Sequence, residues 1–296
     1  MYLVGFLAAG GYVSPISANY FKPVFPFTEP SFFALALLPL LMFGCVSLSG
    51  SAKVAMLVSA VVISLALESL TFMAGWLLII LICFRSISII FVLIALTLLA
   101  TQLDISYYLD RLGFSADTKN LSTLVYLQGW QLIPESLRLS MGWGLGFQQL
   151  GIQGSSVIAA ESINSILGND ANLLDGGFTF AKITSEFGAL SLLIIMLYLP
   201  LALRAARHLR CKSLGAGREA PALTLAQCVV VCFTIELFIR GSGYFGGTTL
   251  LLAASVTILS IRPWAPLVKI PRSKRRRRLL EMREIKNQQV RRGRKI

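Results

Sequence analysis

The chain has 296 residues, 55% of them apolar and only 14% charged, with 27 Lys and Arg against 14 Asp and Glu for a net charge of +13. Mean hydropathy is +0.73, which excludes an ordinary soluble domain and predicts an all-α polytopic membrane protein. The basic residues lie between apolar runs and in one tail, the pattern of membrane topology rather than of nucleic-acid binding.

In chain order, Met1 leads straight into MYLVGFLAAGGYV without a basic segment or a small-residue cleavage site, so no cleavable signal is expected. Apolar runs of spanning length are predicted near 1–18, 31–49, 53–67, 70–84, 86–102, 178–203, 222–239 and 246–262. The stretch 54–84 is continuous in hydropathy, but as one helix it would be about 46 Å long against a hydrocarbon core of about 30 Å. A break at LESLT makes it two helices. With that break Lys53, Arg85, the Arg-rich 204–218 segment and everything from Arg262 onward fall on one side, which the positive-inside rule makes cytoplasmic. Eight spans follow, with both ends cytoplasmic. The organisation is five spans over 1–102, a large extracytoplasmic loop over 103–177, three spans over 178–262 and a basic tail over 263–296.

The large loop carries most of the remaining polar chemistry. NLSTLVYLQGWQLI predicts a helix capped by Asn120 or Ser122 and lying on the membrane, with Tyr126 and Trp130 at interfacial depth and a stop near Pro134. SSVIAAESINSIL predicts a second short amphipathic helix capped by Ser155 or Ser156, followed by the polar turn GNDANLLDGG. The tail RSKRRRRLLEMREIKNQQVRRGRKI reads as an anchor on anionic lipid, with nucleic acid set aside. Five cysteines show no CxxC or Cys/His spacing, so neither disulfide nor metal site is expected, and no cofactor is implied. His208, the only histidine, sits in the Arg-rich cytoplasmic segment, which removes imidazole chemistry from the outer face.

Six cations fall on the outer side: Lys22, Arg111, Lys119, Arg138, Lys182 and Arg240. Arg240 has two readings: a local pair with Glu236 one helical turn earlier, or a guanidinium fork presented to a phosphate by FIRGSGYFGG. GWGLGFQQLG lacks the strand and the Gly-Lys-Ser/Thr of a nucleotide loop; its glycine amides at Gly144 and Gly146 form either an anion-binding nest or a turn dipping into the interface. Among the acids, Asp175 and Glu186 bracket the start of a span, with Lys182 one turn from Glu186 and a structural Lys182–Glu186 pair as the simpler account. In PFTEPSFFALALLP, Glu29 precedes Pro30 at a helix start. It serves either as a cap for free amides or as a group that orients an arginine or a hydroxyl beside an outer groove.

FTEPSFFALALLPLL, NLSTLVYLQGW with GWGLGFQQLG, LDGGFTFAKITSEFGALSLL and FIRGSGYF, in this order over residues 19–260, resemble the Wzy-type bacterial polysaccharide polymerases, close to the O-antigen ligase superfamily. The resemblance implies a multi-pass protein of the bacterial cytoplasmic membrane that moves a growing glycan between undecaprenyl-pyrophosphate carriers at the outer face, with a chain-length regulator as a possible partner. It implies Glu29 and Asp175 as catalytic carboxylates, and Arg138, Arg240, Lys22, Lys119, Gly144 and Gly146 as ligands of pyrophosphate or glycan. Family members carry further N-terminal spans, so the chain corresponds to their later two thirds. The ligases' outer-loop histidine has no counterpart here. A flippase for lipid-linked sugars and a non-catalytic assembly subunit are the competing expectations.

Overall fold

The computed structural model describes residues 27, 29–67, 69–84, 120–152, 157–168, 176–214, 220–241 and 243–261. Its helices are α1 (Pro30–Ser47), α2 (Gly50–Leu67), α3 (Leu70–Cys83), α4 (Leu121–Leu139), α5 (Ile158–Leu167), α6 (Thr179–Phe187), α7 (Leu190–Ser213), α8 (Pro221–Phe238) and α9 (Gly247–Ile261). The described residues are all-helical and form a membrane protein in which α1, α7 and α8 are long and apolar enough to cross a bilayer. The spans expected at 1–18 and 86–102, and the basic tail, lie outside the described residues.

The 54–84 stretch forms two helices. Ser69 sits between them in extended backbone, and its hydroxyl accepts from the Phe72 amide at 3.3 Å as the N-cap of α3. The pair runs antiparallel, because Lys53 at the start of α2 donates to the Cys83 carbonyl at the end of α3, 2.8 Å away.

Two expected boundaries are corrected. The span placed at 178–203 is α6 followed by α7, because Gly188 takes φ 54° and ends α6 after Phe187. Thr179, Lys182, Thr184, Ser185 and Glu186 of α6 are buried against protein, where a lipid-facing helix could not carry them. The apolar span therefore begins at Leu190 and extends to Ser213. The helix expected to stop near Pro134 runs through it to Leu139; the proline costs one backbone donor without ending the helix.

α8 is the centre of the bundle, with 72% of its apolar window buried, and it packs on α1, α3, α6, α7 and α9. α7 is the opposite case: 17% of its window is buried, and Leu192, Leu193, Met196 and Leu197 are exposed along it. Apolar surface displayed along a whole helix is what a lipid-facing element requires. The main core joins α1, α2, α3, α7, α8 and α9, while Leu132, Leu150 and Ala160 form a smaller cluster between α4, α5 and the loop that joins them.

The bundle has two chemically different ends. At one, Lys53 donates to Cys83 O and to Ser213 Oγ (2.5 Å), Ser213 Oγ donates to the same carbonyl (2.9 Å), Arg210 donates to Leu81 O, and Lys212 donates to Thr224 Oγ1 in the first turn of α8. These cations sit on the carbonyl-rich C-termini of α3 and α7, where the helix dipole favours positive charge. At the other end the start of α1, the end of α8 and the start of α6 converge, as shown by Arg240–Glu29 and by Gly241 N donating to Gly177 O at 3.1 Å.

Candidate functional site at the start of α1

Glu29 is the N-cap residue of α1 by position, with Pro30 following, but its side chain accepts no helix amide. The capping account of this carboxylate is thereby corrected. Its Oε2 accepts from Arg240 Nη2 at 2.8 Å and from Ser31 Oγ at 2.9 Å. Proline at the first helical position has no N–H to offer, and the Glu29 carboxylate, bonded to the Ser31 hydroxyl rather than to a helix amide, also reaches a partner in another segment.

That partner comes from 211 positions later in the chain. α8 ends at Phe238, so Arg240 has left the helical register and does not continue the face that carries Glu236. The expected local pairing of Arg240 with Glu236 is replaced by an ion pair across the bundle. The guanidinium carbon lies 5.5 Å from the Phe32 ring centroid, a cation–π contact from the first turn of α1. The Arg240 and Glu29 side chains are 18% and 22% exposed, respectively. The pair is thus largely desolvated yet reachable from outside. Phe32 is not singled out by the sequence; the signal is its position in the first turn after the acid-Pro-Ser step.

The glycine loop surrounds a second carboxylate. Gly144 (φ 87°) lies against the turn between α6 and α7, and a Cβ there would fall 2.4 Å from Glu186 O and 2.5 Å from Gly188 N. The amides that the sequence offered as an anion nest are already used: Gly144 N donates to Ser140 Oγ (2.9 Å), Leu145 N to Ser185 O (2.9 Å) and Gly146 N to Glu186 O (2.9 Å). Gln148 N donates to Glu186 Oε2 at 3.1 Å. The anion held by this loop is the protein's own Glu186, and Gly144 and Gly146 are withdrawn as ligands of a pyrophosphate.

Glu186 is 2% exposed. Its Oε1 and the Tyr244 hydroxyl are both buried and lie beside one another. Burial, and then the neighbouring Glu186 carboxylate, push the Tyr244 phenol well above its ordinary range, so it stays protonated. Lys182 Nζ lies 5.1 Å from the Tyr244 ring centroid, and Phe147 stacks on that ring at 5.4 Å. Tyr244 belongs to the same turn as Arg240, so this cluster ties that turn to α6 and to the glycine loop. Glu186 and Lys182 meet through the Tyr244 turn, an arrangement that helical spacing alone does not show.

On the far side of α6, Phe178 packs against Tyr126 (5.1 Å) and Trp130 (5.1 Å), and Phe180 against Trp130 (5.9 Å) and Phe238 (5.5 Å). This aromatic layer joins α4, α6 and α8 beside the Gly241–Gly177 contact. The caps of the loop helices divide: Asn120 Oδ1 accepts from Ser122 N at 3.1 Å, as one expectation had it. α5 has no side-chain cap of its own, and Gln131 Oε1 of α4 accepts from its Ala159 amide instead. Ser155 and Ser156 lie outside the described residues.

Of the candidate site residues, Glu29 and Arg240 are brought together. Arg138 is exposed in the last turn of α4. Lys22, Lys119 and Asp175 lie outside the described residues. Among the described residues no group of His, Cys, Asp and Glu could hold a metal ion. Comparison with protein-family models, with curated proteins and with solved structures gives no match to this chain.

Proposed function

We propose that this protein polymerises undecaprenyl-pyrophosphate-linked oligosaccharide units at the outer face of a bacterial cytoplasmic membrane. One observation carries the reading: the Glu29–Arg240 ion pair joins two segments, FTEPSFF and FIRGSGYF, that the family resemblance singles out independently. They meet at the end of the bundle opposite the basic Lys53, Arg210 and Lys212 cluster, which the positive-inside rule assigns to the cytoplasm.

The chemistry asked of such a site is modest in kind. A pyrophosphate leaving group needs a fixed cation, and a guanidinium offers a planar fork that an ammonium does not. Glu29 holds that fork in place before substrate arrives, so little reorganisation is needed during reaction. When the fork engages phosphate, the released carboxylate is free to orient or deprotonate the acceptor hydroxyl. Lys22, Lys119 and Asp175 remain further candidates in the same roles, with a lipid-linked glycan as substrate and a chain-length regulator as partner.

A transporter of the same lipid-linked sugars would place ionisable groups near the bilayer midplane. The buried carboxylate of α8, Glu236, sits in its last turn, about 3 Å from the helix end, so it supports the outer-site reading better.

Gene loss tests the proposal. A strain without the gene is expected to show single repeat units where long-chain ladders were present, restored by the wild-type gene and not by Glu29→Gln. Arg240→Lys should impair chain growth more than Lys119→Arg. An unchanged ladder in a strain with no second polymerase would remove the reading.

A further inference from the structure

The loop between α4 and α5 displays side chains that a water-facing loop does not. Met141 is 91% exposed, Trp143 74% and Ile152 63%. Phe147 is also exposed, and its ring packs edge-on against Phe245 at 6.3 Å; Phe245 belongs to the Arg240 turn and is 77% exposed. Patches of this kind on a folded surface mark an interaction site.

The loop is not free to bury them. Ala189 N donates to Gly142 O at 2.9 Å, and Leu145 and Gly146 donate to the last turn of α6 at 2.9 Å each. A Cβ on Gly188 would lie 2.4 Å from the Trp143 carbonyl carbon, so Trp143 stands directly beside the turn that starts α7. Leu190, the first residue of α7, is exposed and begins the apolar, outward-facing surface of that span. The Trp143 end of the patch therefore adjoins the turn from which the lipid-facing side of α7 begins, and the loop is held at the end of a helix long and apolar enough to span. Trp is favoured at that depth because its ring is apolar and its N–H is polar.

We propose that Met141, Trp143, Phe147, Ile152 and Phe245 form a wedge inserted into the outer leaflet, held by the Glu186 cluster at the edge of the acyl region. Arg138, exposed beside Leu139 at the end of α4, supplies the cation of its rim and meets lipid phosphate there. The occupant of the patch is the bilayer itself. Arg138 is then a membrane contact and not a ligand of the substrate pyrophosphate.

The test uses the full chain in liposomes whose lipids carry bromine on the acyl chains, with tryptophan emission as readout. Wild type and Trp143→Phe are compared, so that their difference reports Trp143 alone; the exposed position makes this substitution benign to folding. The Trp143 share of the emission is expected to lose most of its intensity in brominated lipid and to resist aqueous iodide. Quenching by iodide with none by bromolipid would place the loop in water and overturn the proposal. Quenching by neither would show the patch covered by protein, a partner or a second copy, and would overturn it equally.

Discussion

Removing one member of the Glu29–Arg240 pair should cost more than removing both, relative to independent effects. The ion pair is 2.8 Å long with side chains 18% and 22% exposed, between the exposed limit of roughly 0.2–1 kcal/mol and the roughly 3–5 kcal/mol lost when one member of a fully buried pair is removed. A coupling of about 2 kcal/mol is expected, in line with hydrogen bonds to charged groups. The perturbations are Glu29→Gln, Arg240→Met and the double variant. At roughly 2–4 °C per kcal/mol, each single change should lower the thermal midpoint in detergent by several degrees. The double variant should fall short of the sum of the singles by the coupling, while the contact with Phe32, lost in both arms that lack Arg240, cancels. The assay is the midpoint of monodisperse protein recovered after heating, with membrane accumulation as a control. Effects additive to within about 0.5 kcal/mol would mean that the pair is not formed, and the site built on it would fall. In the same set Glu29→Gln should still accumulate in the membrane while chain growth is abolished.

Further expectations concern the rest of the bundle. Gly144→Ala places a Cβ against backbone atoms of the α6–α7 turn, whereas Gly142→Ala, also at positive φ, meets open space. The first should undock the loop and expose it to protease, and the second should cost only about 1–2 kcal/mol of backbone strain. Lys53→Met removes the donor that joins the ends of α3 and α7 and should lower stability by about 1.5–3 kcal/mol, read as reduced survival on heating. For topology, a cysteine at Gly168 in a cysteine-free background should react with an impermeant thiol reagent on whole cells, and one at Leu214 should not. The reverse pattern would invert the membrane orientation.

Hydropathy and charge alone determined the class, the positions of α1, α2, α3, α8 and α9, and the break that makes 54–84 two helices. Those follow from apolar length against bilayer thickness and from the side on which Lys and Arg fall between the apolar runs. The loop glycines could be recognised as necessary but not for what, because φ above zero is local whereas the atoms that Gly144 must approach come from α6. The acid-Pro-Ser step was visible as a helix start with an awkward carboxylate. Its partner was not, since the pair closes over 211 residues and helical spacing offered Glu236 as a nearer choice for Arg240. Only the packing of α8 between α1 and α6 decided that pairing. The same holds for α6, whose apolar residues continue smoothly into α7 in sequence. Its burial against protein rather than lipid follows from the Gly188 turn and from what Glu186, Lys182 and Tyr244 find around them, which no window of sequence contains.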